Sequence, residues 1–502
     1  MNTPLSRRDF LGQSSCAAVG SLGLLSTLLN LRMANSAVAQ TLPPGEDYRA
    51  LVCFFFSGGI DSYNLLVPNA GSAVYDNYVN IRGGLYDGVT NVDGLAISGL
   101  PLAAHPTDPF AFGVHPSCGD YSTLPGIRSL YGSGNLAFIS NVGTLVERIT
   151  KAQYDSSTAR LPRGLFSHAD QIQQWQTSVP TEARALGWAG SAADLLHAGN
   201  VGAKVSMNIS ISGNNIWQSG RKLFAYTIGN QGSSLPDDYN SILVTPDVGR
   251  NSRIAIRTSA LDNMLQQEYQ NLLDQTYSVN LRESIEGSAE FKNAFDASTL
   301  TTPFPGDPGY TYRPGFNQSN DPARIIGQQL KAIVRTIKAR QALNMRRQTF
   351  FINYGGWDHH DEVINNMNNM VDIVNRCLIS YWQALGEIGV QDKVTLYTAS
   401  DFARTLTSNG AGSDHAWGGN SLVLGGAVNG GRVYGSYPDL ALTAPNVITN
   451  RGSTLPTISV DEYFAELALW LGVSPGDLPS VLPRINTFYT PSSSAPIGFM
   501  QP

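Results

Sequence analysis

The sequence predicts an α/β protein built on a doubly wound, mostly parallel sheet with helices on both faces. The first observation is a near-continuous apolar run from Arg49 to Phe56, which is typical of a strand buried on both faces. The second is that residues 348–353 and 393–399 repeat this design, with 136–140 as a fourth candidate strand. The third is that helical patterns separate several of these runs, as in α/β architectures.

The N-terminal region has the pattern of an export signal. Arg7 and Arg8 precede an apolar run over residues 11–31, which ends in Ala37-Val38-Ala39. This pattern predicts a twin-arginine signal peptide over residues 1–39 that is cleaved after Ala39. A short membrane anchor is the alternative, because the run is near the lower length limit for a bilayer span.

If the signal is cleaved, a linker over residues 40–48 precedes one large domain over residues 49–502. We then expect the twin-arginine translocase as a partner, a periplasmic or secreted location, and no stable membrane span after cleavage. The chain has 33 basic and 39 acidic residues and a net charge of −6, with no basic cluster after the signal. This balance argues against a nucleic-acid partner.

The four cysteines do not form a disulfide framework. Cys16 would leave with the signal, so Cys53, Cys118 and Cys377 allow at most one disulfide. No C-x-x-C spacing for zinc or redox chemistry is present in the sequence.

Two helices have clear boundary signals. Residues 321–322, Asp-Pro, predict a helix start ahead of an apolar stripe that extends to Ile337. Ser459 and Glu462 form a capping-box pattern, and Gly472 stands where that second helix should end.

Two segments interrupt this alternation of strands and helices. Residues 301–320 are rich in Pro, Gly and Asn and are predicted to form a long surface loop. Residues 188–298 mix short strand-like and helical runs, which predicts an inserted subdomain.

The three clearest strands each end in a turn that carries an aspartate. These residues are Asp61, Asp358 and Asp401. Ligands of open α/β sheets bind at the carboxyl ends of the strands, so we expect the three carboxylates to converge there. Clustered carboxylates need a cation or protons to share one site, and a divalent metal is the simplest solution.

Histidines near these aspartates support a metal site. The chain has seven histidines, and His360 and His415 lie beside Asp358 and Asp414. Imidazole with carboxylate suits zinc first, whereas magnesium, calcium or manganese are the alternatives. The predicted metal ligands are Asp61, Asp358, His360, Asp401, Asp414 and His415. Of the remaining histidines, His168 alone is a weak further candidate.

Each of these residues also has a structural explanation. Asp358 and Asp361 could cap the helix that follows them, since aspartate is favoured at that position. Asp401 could hold a turn through its side chain and pair with Arg404.

A hydroxyl at a helix start is the expected nucleophile, because the helix N-terminus stabilises an anion. Ser167 is the main candidate, and Ser62 is the second. The alternative for Ser167 is a capping box with Asp170, which stands at the required spacing.

Several motifs together resemble the DUF1501 family. They are Ser57-Gly58-Gly59-Ile60-Asp61, Gly355-Gly356-Trp357-Asp358-His359-His360, Ser400-Asp401-Phe402-Ala403-Arg404-Thr405, Gly412-Ser413-Asp414-His415-Ala416-Trp417-Gly418-Gly419 and the glycine-rich run 424–435. The resemblance implies an alkaline-phosphatase-like core of the alkaline phosphatase and sulfatase superfamily. It further implies two metals at the strand ends and a Ser, Thr or modified Cys nucleophile. The catalytic candidates in this chain are Ser167, from its position at a helix start, and Arg404.

The match to the superfamily pattern is incomplete. The usual Asp-His pair would align with Asp401-Phe402, and a phenyl ring cannot bind a metal. The other Asp and His are usually separated by three residues, whereas one residue separates Asp358 from His360. One of the two implied metal sites could therefore be altered or missing.

The function expected from these features is that of an exported, metal-dependent hydrolase of phosphate or sulfate esters. Its substrate would be a small molecule or a polymer. The alternative is a non-catalytic extracellular binding or surface-assembly protein on the same fold, in which the metal site is degenerate.

Overall fold

The structure, a computed structural model, describes residues 47–233, 250–267, 271–492 and 494–501. The predicted signal peptide and most of the predicted linker lie outside these residues. The last two linker residues are anchored to the fold. Asp47 pairs with Arg347 at 2.8 Å, and the hydroxyl of buried Tyr48 donates to Gln348.

A nine-stranded mixed sheet forms the centre of the described structure. Its strands are β1 (Arg49–Ser57), β5 (Leu136–Gly143), β6 (Asn208–Ser210), β7 (Tyr226–Thr227), β8 (Arg347–Gly355), β9 (Val394–Ser400), β10 (Gly419–Leu424), β11 (Val433–Tyr434) and β14 (Ile458–Ser459). They lie in the order β11-β5-β10-β9-β1-β8-β6-β7, and β14 also pairs with β5. Within this sheet β10 pairs antiparallel with both neighbours, and the other pairs are parallel.

Smaller strands and the helices complete the described part of the chain. Two small sheets contain β2 (Leu66–Pro68), β3 (Leu100–Pro101) and β4 (Phe112–Val114), and β12 (Val447–Ile448) and β13 (Ser453–Thr454). The helices are α1 (Ala73–Ile81), α2 (Ile127–Gly132), α3 (Lys151–Asp155), α4 (His168–Thr177), α5 (Trp188–Leu196), α6 (Arg250–Leu265), α7 (Leu272–Ala297), α8 (Arg324–Lys338), α9 (Val363–Glu387), α10 (Val460–Leu471) and α11 (Leu478–Val481). Single 3-10 turns lie at Pro116–Cys118, His197–Gly199, Pro475–Asp477 and Ile485–Thr487.

The four strands predicted from apolar runs are confirmed as β1, β5, β8 and β9. β1 lies between β8 and β9 and is parallel to both. In this register Ser57 aligns with Gly355, and Phe56 aligns with Ser400. The carboxyl ends of the three strands therefore meet at one edge of the sheet, as the sequence predicts.

Helices cover both faces of the sheet, which consecutive residues of β9 demonstrate. The ring of Tyr397 lies 6.2 Å from the ring of Trp188 in α5. Thr398 lines a small cavity on the opposite face together with Val371 and Val374 of α9. Because consecutive strand residues point to opposite faces, α5 and α9 lie on different sides of the sheet.

One predicted helix start is displaced, and the other is confirmed. α8 begins at Arg324 rather than immediately after Asp321. Oδ1 of Asp321 accepts the N–H of Ala323 at 2.9 Å in the turn before the helix, and both carboxylate oxygens also accept hydrogen bonds from Arg376 at 2.6 and 2.9 Å. At α10, Ser459 and Glu462 form the expected capping box, and Gly472 ends the helix.

Residues 188–227 are integrated into the main sheet, since β6 pairs with β8 and β7 with β6. The rest of the predicted 188–298 subdomain contains α6 and α7 where it is described. Residues 301–320 contain neither helix nor strand, as expected of a loop.

In the described ranges, Cys53, Cys118 and Cys377 are buried and unbonded to one another. Across the same residues, the helices are all too short or too polar to span a bilayer.

Candidate metal centre

The edge where β1, β8 and β9 end carries the candidate site. A sharp turn follows β1 at Gly58, where φ is +119° and an added Cβ would stand 2.6 Å from the amide nitrogen of Asp358. Glycine is required here because a side chain would collide with the neighbouring turn. The close approach brings the turn after β1 against the turn that carries Asp358.

Three ligand-type atoms form a compact triangle at this edge. The Nε2 atoms of His360 and His415 lie 3.1 Å apart. Oδ1 of Asp358 lies 3.1 Å from Nε2 of His360 and 3.3 Å from Nε2 of His415. The structure thus brings together three residues that the sequence predicts as metal ligands.

Hydrogen bonds to the opposite ring nitrogens hold two of the imidazoles. Nδ1 of His415 lies 2.8 Å from the carbonyl oxygen of Phe166, and Nδ1 of His360 lies 3.3 Å from Oδ1 of Asp414. Because a carbonyl and an ionised carboxylate only accept, each Nδ1 must donate its hydrogen. In a neutral ring the Nε2 atom then carries a lone pair directed at the triangle.

A third imidazole is held in the same way. Nδ1 of His168 lies 2.7 Å from Oδ2 of Asp401, and Nε2 of His168 lies 3.4 Å from Oδ2 of Asp358. Ligand atoms of His168, Asp358 and His415 all lie within 4.8 Å of one another. His168, only a weak candidate in the sequence, therefore belongs to the cluster.

Arg404 balances the charge of the central carboxylate. Its Nη2 atom donates to Oδ1 of Asp358 at 2.6 Å, and its side chain is fully buried. Burial opposes ionisation of Asp358, but Arg404, with help from His360 and His168, outweighs burial and lowers the pKa of that carboxyl. Asp358 is therefore an anion that is available to a cation at neutral pH.

Electrostatics around the two histidines also favour metal binding. Burial lowers the pKa of His415, which keeps its ring neutral at neutral pH. Burial of Asp414 is outweighed by hydrogen bonds and charge from Asn409 and Arg451, so the pKa of Asp414 is lowered. A neutral imidazole and an ionised anchoring carboxylate are the states that a metal site requires.

The triangle fits a first-row transition metal. Ligand atoms at about 2.0–2.1 Å from a tetrahedral zinc lie about 3.3 Å from one another, which matches the edges of this triangle. Nitrogen donors are uncommon for magnesium or calcium, which prefer oxygen ligands. Zinc therefore fits better than the alternatives from the sequence, with His360, His415 and Asp358 as the residues that would hold it.

Asp61 does not join the cluster, in contrast to the prediction from the sequence. Both of its oxygens accept hydrogen bonds from Arg82 at 2.7 Å, and both side chains are fully buried. The guanidinium satisfies the charge and geometry of the carboxylate, so a metal has no free oxygen to bind.

Asp401 and Asp414 reach the site through histidines. Asp401 accepts from Nδ1 of His168 and from the backbone N–H of Gly58, and Asp414 anchors His360. Both were predicted as direct ligands, but neither contributes an atom to the triangle. Their positions suit residues that orient the ligands.

Phe402 follows Asp401 directly and lies against the cluster. Its ring is buried, and its centroid lies 4.8 Å from that of His168 and 4.4 Å from that of His415. It forms an apolar wall for the two imidazoles. Whether a second metal site exists, as the resemblance implies, stays a prediction.

The helix-capping explanations are not realised at the aspartates. The N-cap residue of α9 is Glu362, so neither Asp358 nor Asp361 occupies that position. Arg404 pairs with Asp358 and not with Asp401.

Ser167 stands at the N-cap of α4, but its side chain makes no capping hydrogen bond. Asp170 instead pairs with Arg163 at 3.0 Å, so no capping box forms. Ser62 is buried, and its hydroxyl oxygen accepts from the N–H of Asn420 at 2.9 Å. Ser62 is therefore poorly placed as a nucleophile, whereas the hydroxyl of Ser167 is partly exposed beside His168.

Sequence reasoning missed Arg82 and the carbonyl of Phe166, and it gave too little weight to His168. One signal for His168 was present: a histidine in the first turn of a helix is unfavourable as a cation, because the helix dipole is positive there. A histidine at this position is therefore expected where the ring is neutral and has a specific partner. No local pattern pointed to Arg82 or to a backbone oxygen.

The fold and site define a mixed α/β protein with a cluster of carboxylate and imidazole groups at the carboxyl ends of its central strands. The chain belongs to the DUF1501 family, described as "Protein of unknown function (DUF1501)", which matches residues 48–451.

Two solved structures illustrate the remote similarity of this chain to known folds. Ps i-CgsB is 9% identical over 88% of this chain and 78% of its own, with a TM-score of 0.31. The PsFucS1 sulfatase from Pseudoalteromonas sp. is 12% identical over 91% of this chain and 72% of its own, with a TM-score of 0.30. Similarities this low carry no argument about activity. Comparison with curated protein sequences found no significant match.

Proposed function

We propose that this protein is an exported metal-dependent hydrolase of phosphate or sulfate esters on an alkaline-phosphatase-like core. The observation that carries the proposal is the triangle of His360 Nε2, His415 Nε2 and Asp358 Oδ1, with edges of 3.1, 3.1 and 3.3 Å. Three acceptor atoms at such distances repel one another unless protons or a cation lie between them. Zinc is the proposed metal.

A bound metal of this kind supplies a Lewis acid that polarises the ester and stabilises charge in the transition state. The chain itself contributes orientation and charge balance. Phe166 and Asp414 fix the rings of His415 and His360, and Arg404 holds Asp358 ionised. Because Arg404 is fully buried behind Asp358, its role is to position that carboxylate rather than to touch substrate.

Ser167 is the proposed nucleophile. Its hydroxyl makes no capping bond and stands at the start of the ten-residue helix α4, where N–H groups and the helix dipole stabilise an anion. Its oxygen would bond to phosphorus or sulfur as the bond to the leaving oxygen breaks. The hydroxyl of Ser167 loses its proton as the bond forms, and the leaving oxygen takes up a proton as it departs. Water then attacks the phosphorus or sulfur, releases phosphate or sulfate and restores the serine hydroxyl.

The test uses protein matured through its own signal in a bacterium with a twin-arginine pathway. We expect one zinc per chain by elemental analysis, and hydrolysis of an aryl phosphate or an aryl sulfate. His415→Ala should lose both properties, whereas the matched control His105→Ala should keep both, because His105 bonds to Thr107 outside the cluster. Ser167→Ala should keep zinc but lose at least about 100-fold in kcat.

A second candidate function is a non-catalytic extracellular binding or surface-assembly protein. It is favoured by the pairing of Asp61 with Arg82. Both oxygens of Asp61 accept hydrogen bonds from Arg82, so this carboxylate is not available to bind a metal. This candidate predicts protein without stoichiometric metal and without ester hydrolysis. Absence of metal in protein matured in this way would contradict the hydrolase.

A further inference from the structure

His168 is the one imidazole of the cluster that lies outside the triangle. It comes from the first turn of α4, whereas His360 and His415 lie in the loops after β8 and β9. Its Nε2 atom lies 3.4 Å from Oδ2 of Asp358, the oxygen that the triangle does not use. Ligand atoms of His168, Asp358 and His415 all lie within 4.8 Å of one another, so His168 adjoins the triangle.

The orientation of the His168 ring follows from its second contact. Oδ2 of Asp401 accepts the N–H of Gly58 at 3.1 Å and lies 2.7 Å from Nδ1 of His168. This oxygen is an acceptor, so Nδ1 of His168 donates to it. The other ring nitrogen, Nε2, is thereby directed at Oδ2 of Asp358, 3.4 Å away. A cation at this contact, either a proton or a metal ion, would satisfy both atoms.

Packing holds this arrangement in place. The side chain of Asp401 is 1% exposed, and its other oxygen, Oδ1, is buried without a hydrogen-bond partner. The ring of Phe402 packs against that of His168, and the ring centroids of His168 and His415 lie 4.5 Å apart. A buried carboxylate that fixes the far nitrogen of an imidazole is the usual way in which proteins orient a histidine ligand.

We propose that His168 is a fourth protein ligand of the metal and that Asp401 is a positioning residue that orients it without touching the metal. The inference rests on the metal-binding part of the proposed function and does not depend on hydrolysis. The resulting ligand set has three nitrogens and one carboxylate, which selects zinc or another first-row transition ion over magnesium and calcium.

The experiment measures metal binding directly, on the full mature chain from which metal has been removed. Zinc affinity is determined by competition with a chelating dye, and Co²⁺ is added separately to record its visible absorption. His168→Ala should weaken zinc binding on the order of 100-fold or more and change the Co²⁺ spectrum, because a nitrogen ligand is lost. Asp401→Asn should weaken zinc binding by about 10–100-fold with a smaller spectral change. His105→Ala should match the unaltered protein.

The outcomes separate this inference from the proposed function. Unaltered protein that binds neither zinc nor Co²⁺ overturns the proposed function, and this inference with it. Unaltered protein that binds zinc, with His168→Ala equal to it in affinity and spectrum, overturns this inference alone. A larger loss in Asp401→Asn than in His168→Ala would make Asp401 itself the ligand and would also overturn it. Thermal midpoints of the metal-free variants must stay close to that of the parent, and Asp401→Glu serves as a second variant if Asp401→Asn does not fold.

Discussion

The Nε2 atoms of His360 and His415 point at each other across 3.1 Å. Each ring has its other nitrogen bonded to an acceptor, so neither can supply a hydrogen to this contact while both are neutral. A proton or a metal ion must stabilise the pair. The choice between them depends on pH, and it leads to the first prediction.

Zinc should stabilise the protein at pH 7.5 and lose this effect in acid. The imidazoles must be deprotonated to bind metal, and an ordinary histidine takes up its proton near pH 6.5. Burial lowers the pKa of His415, so its nitrogen stays available further into acid than that of an ordinary histidine, and zinc stabilisation should be lost as pH falls below about 6.5. The measurement is the shift in thermal midpoint on adding zinc at pH 7.5, 6.5 and 5.5, with a chelator as control. An equal shift at all three values would contradict the assignment.

Arg404→Met should reduce the free energy of unfolding at pH 7 by about 1–3 kcal/mol, because it leaves Asp358 without its cation. This loss is smaller than the roughly 3–5 kcal/mol expected for a fully buried pair, because the side chain of Asp358 is 43% exposed. The folded-state pKa of Asp358 is lowered, so the stabilisation is present above the unfolded pKa and is lost as pH falls through the folded one. Urea unfolding should thus show a difference at pH 7 that shrinks below about pH 4. A difference independent of pH would contradict this account.

Asp61→Asn should destabilise the fold by about 3–5 kcal/mol, since it leaves the buried guanidinium of Arg82 without an anion. Zinc binding by the folded fraction should change little, because Asp61 lies outside the ligand cluster. Arg82→Met in the same chain should recover part of the loss, which a double-mutant cycle from urea unfolding would measure. If Asp61→Asn loses zinc binding without losing stability, Asp61 is a metal ligand and this account is wrong.

Gly58→Ala should lower both stability and zinc affinity. Its Cβ would stand 2.6 Å from the amide nitrogen of Asp358, and its φ of +119° is strained for alanine. Gly71→Ala is the matched control, because Gly71 has a φ of +97° but nothing within 4 Å of an added Cβ. We expect about 1–3 kcal/mol of backbone strain in both variants, with an additional loss and weaker zinc binding in Gly58→Ala alone. Equal effects in calorimetry and zinc titration would contradict the steric argument.

Asp461→Asn should make stability less dependent on pH. Asp461 lies in the first turn of α10, and its complete burial raises its pKa to about 7. In the unfolded chain the carboxyl of Asp461 ionises at about pH 4. As pH rises from about 4 to about 7, the folded state therefore loses stability, on the order of 4 kcal/mol in all. The variant should therefore be more stable than the parent at pH 8 but not at pH 4, by urea unfolding. The exposed Asp155→Asn variant should show no such difference.

Much of the fold could be predicted because its signals are local. The apolar runs identified β1, β5, β8 and β9, and the turns after three of them identified the edge at which Asp358 and Asp401 lie. Short motifs also identified His360 and His415. These features depend on a few consecutive residues, whose periodicity and turn preferences are visible in a single sequence.

The division of roles within the site could not be predicted in this way. Arg82 engages Asp61 across 21 residues, and His168 meets Asp401 across 233 residues. Such pairings depend on how whole elements pack. The pairing of Asp321, before α8, with Arg376 of α9 has the same origin, since it also joins residues of different elements.

Phe166 adopts a left-handed backbone with φ of +77°, and it is followed directly by Ser167 and His168. One short peptide thus delivers a carbonyl and an imidazole to the ring of His415. A substitution that lets this peptide relax would displace both groups together, so mutations here should show strong epistasis with His415. Variants meant to probe a single contact of the cluster should therefore leave residues 166–168 unchanged.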